Sequence, residues 1–329
     1  MKKIMYLMVA ALAVLMVSSC SKENAGRSDE ATMTLSISIP DGAVTKSYGD
    51  GQFDAKNVII GVFDENGVEK FRKNFVWEKN VFEQEVQIRF IMGKKYQLVL
   101  WAQYGNAYGD PRTMALNEIR LDYSASNREE LDAFYAHVPV FEVRQDFNKS
   151  IVLTRPFAQL NFATTIGDMD ESVSDLDMTG LDNTATVTIS NVANTLNLFT
   201  GETSFISDGD SEGEKGKVVI PATAFPTKID GKYPTINVDG VVYEVISMNY
   251  VLVADAGAQD GKTTVDLQLK VGELVVNVPN AYMKRNWRTN VVGELLTAEG
   301  SFKVSLDPDF NGSYNEFWNS GMSSESEEE

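Results

Sequence analysis

Thr32-Met33-Thr34-Leu35-Ser36-Ile37-Ser38-Ile39-Pro40 alternates apolar and polar residues along its whole length. In an extended chain, successive side chains point to opposite faces, so Met33, Leu35, Ile37 and Ile39 share one face. The threonines and serines occupy the other face. The stretch therefore predicts a β-strand with one buried face, and these four apolar residues define the predicted first strand of the fold.

The same strand signals recur along the chain between turn residues. A tight β-hairpin turn requires positive φ angles, which the pair Asn66-Gly67 readily adopts. Asp239-Gly240 is a second such pair. Many short strands at regular spacing are typical of β-sandwiches. The sequence therefore predicts an all-β fold of two tandem antiparallel β-sandwich domains with little helix. The predicted strands are residues 58–63, 68–71, 81–88, 96–102, 138–143, 150–154, 158–165, 185–189, 217–220, 235–238, 241–248, 264–271, 273–278, 289–296 and 301–306.

Arg155-Pro156 interrupts the strand pattern, because proline cannot donate a ladder hydrogen bond and restricts the residue before it. We place the boundary there, with an N-terminal sandwich over residues 31–155 and a C-terminal sandwich over residues 156–313. Residues 314–329 end in a run of glutamates and are expected to form an acidic flexible tail. Residues 113–134 lack clean alternation, and a short helix capped by Ser126 or Asn127 is expected within them.

Residues 1–20 have the three parts of a secretory signal: Lys2 and Lys3, an uncharged apolar run over 4–17, and small residues before Cys20. Cys20 is the single cysteine of the chain and stands where a lipoprotein signal peptidase cuts. We expect acyl chains, palmitate among them, to attach there and hold the protein on a membrane. Residues 21–30 are small, polar and charged and predict a flexible tether.

The chain of 329 residues carries a formal net charge of −18, without a cluster of lysine and arginine. Such a surface repels phosphate backbones, so nucleic acid is excluded as a partner. No spacing typical of a metal or cofactor site is present, and we expect neither a cofactor nor an enzyme. The one histidine, His137, stands in an apolar stretch without a nucleophile elbow. Residues 208–214 hold four carboxylates but lack the glutamate that ends a calcium loop, which favours a solvated acidic loop.

Exposed aromatic side chains would support a different function, that of a surface glycan-binding lipoprotein. Such side chains stack on sugar rings, although in β-sandwiches they more often belong to the core. The candidates for this alternative are Trp77, Trp101, Tyr104, Tyr108, Trp287 and Trp318.

Three segments resemble the fimbrillin-type lipoproteins of Bacteroidales. Residues 284–297 with 302–310 are similar to the closing segment of that family, and residues 155–161 to the start of its second domain. Val44-Thr45-Lys46-Ser47 is similar to the site where a trypsin-like protease cuts family members, usually after arginine. The resemblance implies transthyretin-like sandwiches, neighbouring fimbrial subunits as partners, a cell-adhesion role with a host or bacterial surface ligand, and a place on the outer membrane.

The family also implies a mechanism of assembly. A cut between Lys46 and Ser47 would remove the first strand, and an extended segment of a neighbouring subunit would fill the groove. Phe302, Val304 and Leu306 alternate suitably for such a donor strand. Two alternatives stay open: an uncut chain remains lipid-anchored through Cys20, and the segment with Phe302 pairs within its own domain.

Overall fold

The computed structural model describes residues 29–39, 56–77, 83–169, 183–205, 216–253, 262–297, 300–308 and 316–318. Within these ranges the regular structure is strand, except for one 3-10 turn at Glu129–Leu131, which confirms the predicted all-β fold. The strands of the N-terminal half are β1 Glu30–Ser38, β2 Lys56–Asp64, β3 Glu69–Trp77, β4 Glu83–Ile91, β5 Lys95–Gln103, β6 Glu118–Arg120, β7 Ala133–Glu142 and β8 Phe147–Val152.

The C-terminal half contains the remaining strands. They are β9 Ala158–Thr165, β10 Thr184–Ile189, β11 Val192–Ala193, β12 Thr195–Asn197, β13 Thr203–Ser204, β14 Val218–Ala224, β15 Thr235–Val238, β16 Val241–Val253, β17 Thr263–Val271, β18 Leu274–Met283, β19 Trp287–Gly293, β20 Phe302–Pro308 and β21 Glu316–Trp318.

Each half contains two main sheets. In the N-terminal half the strand orders are β4-β1-β8 and β3-β2-β5-β7. In the C-terminal half one sheet has the order β14-β10-β17-β18, and the other contains β11-β16-β9-β19-β20-β21 with β15 paired to β16. Most neighbours are antiparallel, as predicted, and β1 with β8 and β9 with β19 are parallel pairs.

The two halves repeat one topology. β3-β2-β5-β7 corresponds to β14-β10-β17-β18, and β4-β1-β8 corresponds to β16-β9-β19. The strand directions agree as well, because β1 and β9 each lie between one antiparallel and one parallel neighbour. β20 and β21 extend the C-terminal sheet beyond β19, whereas β8 is the last strand of its sheet in the described part of the chain.

Each half encloses its own core. The N-terminal core lies between β4-β1-β8 and the sheet of β2, and the C-terminal core lies between the sheets of β9 and β10. A third cluster, which we call the shared core, combines side chains of both halves. Its members include Ile59, Val99, Trp101, Leu131, Phe157, Ala163, Leu196, Met248, Leu252 and Val292.

The shared core explains why some strands have no polar face. On β5, Leu98, Leu100 and Ala102 join the N-terminal core, and Val99 and Trp101 join the shared core. A strand buried on both faces is a continuous apolar run, as 98–102 is, because neither face meets water. A small sheet of β13-β12-β6 adds backbone pairing between the halves. The boundary proposed at Arg155-Pro156 falls between β8 and β9 and remains a prediction.

Local predictions are met at one turn, met in part at another and missed at the helix. At Asn66-Gly67 only Gly67 has a positive φ, of 78°. Asp239 and Gly240 have φ angles of 56° and 80°, as a hairpin turn of this type requires. The 3-10 turn, in contrast, has Arg128 at its N-cap and no side-chain cap hydrogen bond, so capping by Ser126 or Asn127 was wrong. Asn127 instead accepts the Met248 N–H through its side chain, at 2.8 Å.

Candidate functional site

The predicted first strand lies at the centre of its sheet. β1 pairs with β4 over nine residues, from Glu30 opposite Ile91 to Ser38 opposite Glu83. On its other side it runs parallel to β8. Both edges of β1 are therefore hydrogen-bonded, and β4 and β8 do not pair with each other. Without β1, the sheet would become two separated strands.

The side chains of β1 follow the predicted alternation. Met33, Leu35 and Ile37 have no exposed surface, and Ile39 is 4% exposed. All four belong to the N-terminal core, while the threonines and serines between them are half-buried. The strand thus combines two backbone ladders with a row of apolar side chains that fills one wall of the core.

The predicted processing sites lie outside the described residues. These sites are Cys20, Lys46 and Ser47. The predicted solvated acidic loop, 208–214, also lies outside the described residues. Lys46 nevertheless has a definite place in the chain order, because β1 ends at Ser38 and β2 begins at Lys56.

The predicted donor residues lie on β20. This strand pairs antiparallel with β19 and is also bonded to β21. Val304 and Leu306 have no exposed surface, and Phe302 is half-buried against the C-terminal core. In this structure the strand therefore belongs to the sheet of its own half.

His137 has structural contacts on β7. Its Nε2 atom lies 3.2 Å from Gln97 Oε1, and its ring meets the ring of Phe199 edge-on. Burial lowers the pKa of His137, which favours the neutral imidazole. Within the described ranges no group of three His, Cys, Asp or Glu residues could hold a metal ion.

Three of the six aromatic candidates for sugar stacking are poorly placed for it. Trp77 and Trp101 are 2% and 0% exposed, so neither can meet a glycan. Trp101 donates its indole N–H to Gln103 within the protein. The Trp287 ring is covered on one face by the Lys284 ammonium, 4.4 Å from the ring centre. The glycan-binding alternative gains no support from these positions.

Sequence reasoning missed a buried ionic cluster beside the segment that joins β8 to β9. Asp132 receives two hydrogen bonds from the Arg155 guanidinium, at 2.7 and 3.0 Å, and its carboxylate lies 3.7 Å from Lys56 Nζ. Arg155 also lies over the Phe134 ring at 4.6 Å. The sequence shows only that Asp132 stands beside the apolar start of β7. Its partners Arg155 and Lys56 are distant from it in the sequence, so no local pattern predicts the cluster.

These features define a class: a duplicated β-sandwich protein with a shared core, whose first strand is the centre of a three-stranded sheet. The chain belongs to a family of unknown function, DUF6562, whose model matches residues 24–326. A search of curated protein sequences finds no match. No helix of the described residues has the length and apolar character to span a membrane.

Several solved structures resemble the chain at low sequence identity. The tip fimbrial protein Mfa3 of Porphyromonas gingivalis matches with a TM-score of 0.45 and 12% identity, over 85% of this chain and 99% of that one. The fimbrial anchor protein Mfa2 of the same organism matches at 0.44 and 13%, over 88% and 100%. A structure described as putative polysaccharide binding proteins, from Bacteroides thetaiotaomicron, matches at 0.47 and 14%, over 88% and 99%. Bacteroidales fimbrial proteins are thus among the structures that this chain resembles.

Proposed function

We propose that this protein is a structural subunit or anchor of a cell-surface fimbria, exported as a lipoprotein and assembled by strand exchange. The observation that carries the proposal is the position of β1. It is the first described strand of the chain, it is central in its sheet, and it supplies one wall of the N-terminal core.

Removal of β1 would create a strong binding site for a replacement strand. The four apolar side chains of the strand are each worth about 1.5 to 3 kcal/mol of burial, or about 6 to 12 kcal/mol together. The edges of β4 and β8 would also lose their backbone partner. An extended segment with apolar residues at alternate positions would restore both, as in strand addition to an open sheet.

Chain order makes the strand separable by a single cut. A break after Lys46 lies between the end of β1 and the start of β2, so the cut segment keeps no other covalent link to the fold. The uncut form keeps β1 and stays tethered through Cys20. We therefore assign two forms to the chain: a lipid-anchored form on the outer membrane and a processed form that joins neighbouring subunits.

β20 remains the candidate donor through Phe302, Val304 and Leu306. Its donation requires the strand to leave β19, because the two are paired along all seven residues of β19. The proposal thus includes an exchange of partners: β20 leaves its own sheet and enters the groove of a neighbour.

Two variants expressed as full-length chains in cells test this account. Cys20→Ala should abolish labelling with palmitate, and Lys46→Gln should keep the chain uncut and prevent surface polymers. Lys94→Gln, at an exposed turn between β4 and β5, is the matched control and should leave both unchanged. Polymers that form unchanged in both Cys20→Ala and Lys46→Gln would overturn the proposal.

A further inference from the structure

β8 has a free backbone edge in the described part of the chain. The Leu153 N–H donates to the Ser38 carbonyl at 2.8 Å. The backbone N–H and C=O groups of odd-numbered residues in β8 therefore point towards β1. Backbone N–H and C=O groups alternate in direction along a strand, so those of Asn148, Ser150 and Val152 point away from β1. The backbone groups of Thr154, the next even-numbered residue, also point away from β1, because they exchange both hydrogen bonds with Tyr135 of β7.

Several other sheet edges carry features that discourage pairing. β7, β14 and β18 contain Pro139, Pro221 and Pro279 and have irregular registers with their neighbours. β3 carries several cations and a register shift, and β4 exposes alternating charged residues. Proline, charge and bulges are the usual protection of an edge strand. β8 has none of the prolines or register shifts and only one charged residue.

The internal repeat shows what this kind of edge accepts. β8 corresponds to β19, and β19 pairs with β20 on the side away from β9. That pairing is antiparallel and continuous from Trp287 opposite Pro308 to Gly293 opposite Phe302. The equivalent edge of β8 thus has the geometry to take an antiparallel strand.

We infer that the β8 edge pairs with β8 of a second copy of this chain, antiparallel and about a two-fold axis. The same surface then serves both copies, as closed symmetric dimers require. No existing strand pair has to open for this contact, and β1 remains in place. The inference therefore does not depend on the proposed function.

The number of hydrogen-bonded pairs and the charge of Lys149 together favour one register. With Ser150 opposite Ser150 of the second copy, Asn148 faces Val152 and Lys149 faces Ile151. The outward-pointing residues then form three hydrogen-bonded pairs, or about six hydrogen bonds. A register centred on Lys149 would place two ammonium groups opposite each other, which is destabilising. Ser150 thus lies on the two-fold axis.

Cysteine cross-linking tests the pairing and its register in the full chain with Cys20→Ala, so that no other thiol is present. Residues opposite each other in such a pair have Cα atoms about 5.5 Å apart, within disulfide reach. Ser150→Cys should therefore give a disulfide dimer on oxidation. Asn148→Cys is the matched control on the same exposed face, because two copies of this residue would lie about 13 Å apart. Equal cross-linking by both variants, or none by Ser150→Cys, would overturn the inference.

Proline variants give an independent readout by sedimentation velocity in the same background. Ser150→Pro removes an N–H that β1 does not use and should lower dimer affinity at least tenfold. Gln87→Pro is the control on the opposite edge of the same sheet, where the N–H also points away from β1, since Met92 donates to Asp29. A dimer unaffected by Ser150→Pro, in protein folded by circular dichroism, would contradict the inference. So would a Cys20→Ala chain that stays monomeric at millimolar concentration.

Discussion

The guanidinium group of Arg155 donates two hydrogen bonds to the carboxylate of Asp132 at the junction of the two halves. Both side chains are largely buried, with 4% and 14% of their surface exposed. Arg155 directly precedes the segment that leads into β9, and Asp132 directly precedes β7. The pair therefore ties the segment between β8 and β9 to the start of β7.

Asp132→Asn should destabilise the protein by about 3 to 5 kcal/mol at pH 7, because it leaves two buried cations without their shared counter-charge. Urea denaturation measures this loss. Glu142→Gln is the control, since it removes the exposed partner of Arg144 and should have no measurable effect. Equal stability of Asp132→Asn and the unaltered chain would show that the buried pair contributes nothing.

The pH dependence of stability provides a second prediction. Burial by itself would raise the pKa of Asp132, but the charges of Arg155 and Lys56 outweigh it and hold the pKa below its ordinary value of 3.8. A carboxyl with a lowered pKa in the folded state stabilises fully above the unfolded pKa and less as pH falls through the folded one. The stability difference between the unaltered chain and Asp132→Asn should thus be constant at neutral pH and shrink below about pH 4. A difference that grows on acidification would contradict the assignment.

Trp101→Ala should cost about 3 to 5 kcal/mol, because it empties the largest site in the shared core. The unaltered chain is expected to unfold in one transition, since the shared core couples the halves. Calorimetry of Trp101→Ala should instead show two unfolding transitions, one for each half. Trp287→Ala, at a half-buried position, is the control and should change stability by about 1 kcal/mol or less. Two transitions in the unaltered chain would mean that the halves are independent.

Gly293→Ala should weaken the pairing of β19 with β20. Gly293 has a φ of 152°, and a Cβ atom there would meet the Ser301 carbonyl oxygen and lie 2.7 Å from Phe302 Cα. Strain and overpacking together should cost about 2 to 4 kcal/mol. Gly240→Ala has a positive φ but open space around its Cβ, so it should cost only about 1 kcal/mol. Backbone amides of β20 should exchange hydrogen faster in Gly293→Ala than in Gly240→Ala. Equal protection of β20 in the two variants would refute the prediction.

Local patterns in the sequence predicted much of the fold and little of its assembly. The ranges of β9 and β15 match the predicted 158–165 and 235–238, because alternation and turn residues act over short distances. The central position of β1 depends on pairing with β8 more than a hundred residues away, which no local pattern contains. Likewise the apolar run 98–102 is compatible with burial on both faces, but the second covering sheet comes from the other half.

The N-terminal residue of the protein recovered from cells tests the central claim most directly. Mass spectrometry of intact chains from purified surface polymers should find Ser47 as the first residue, and the membrane fraction should begin at acylated Cys20. The account is contradicted if the chains in the polymers retain β1, Glu30–Ser38, within a continuous polypeptide.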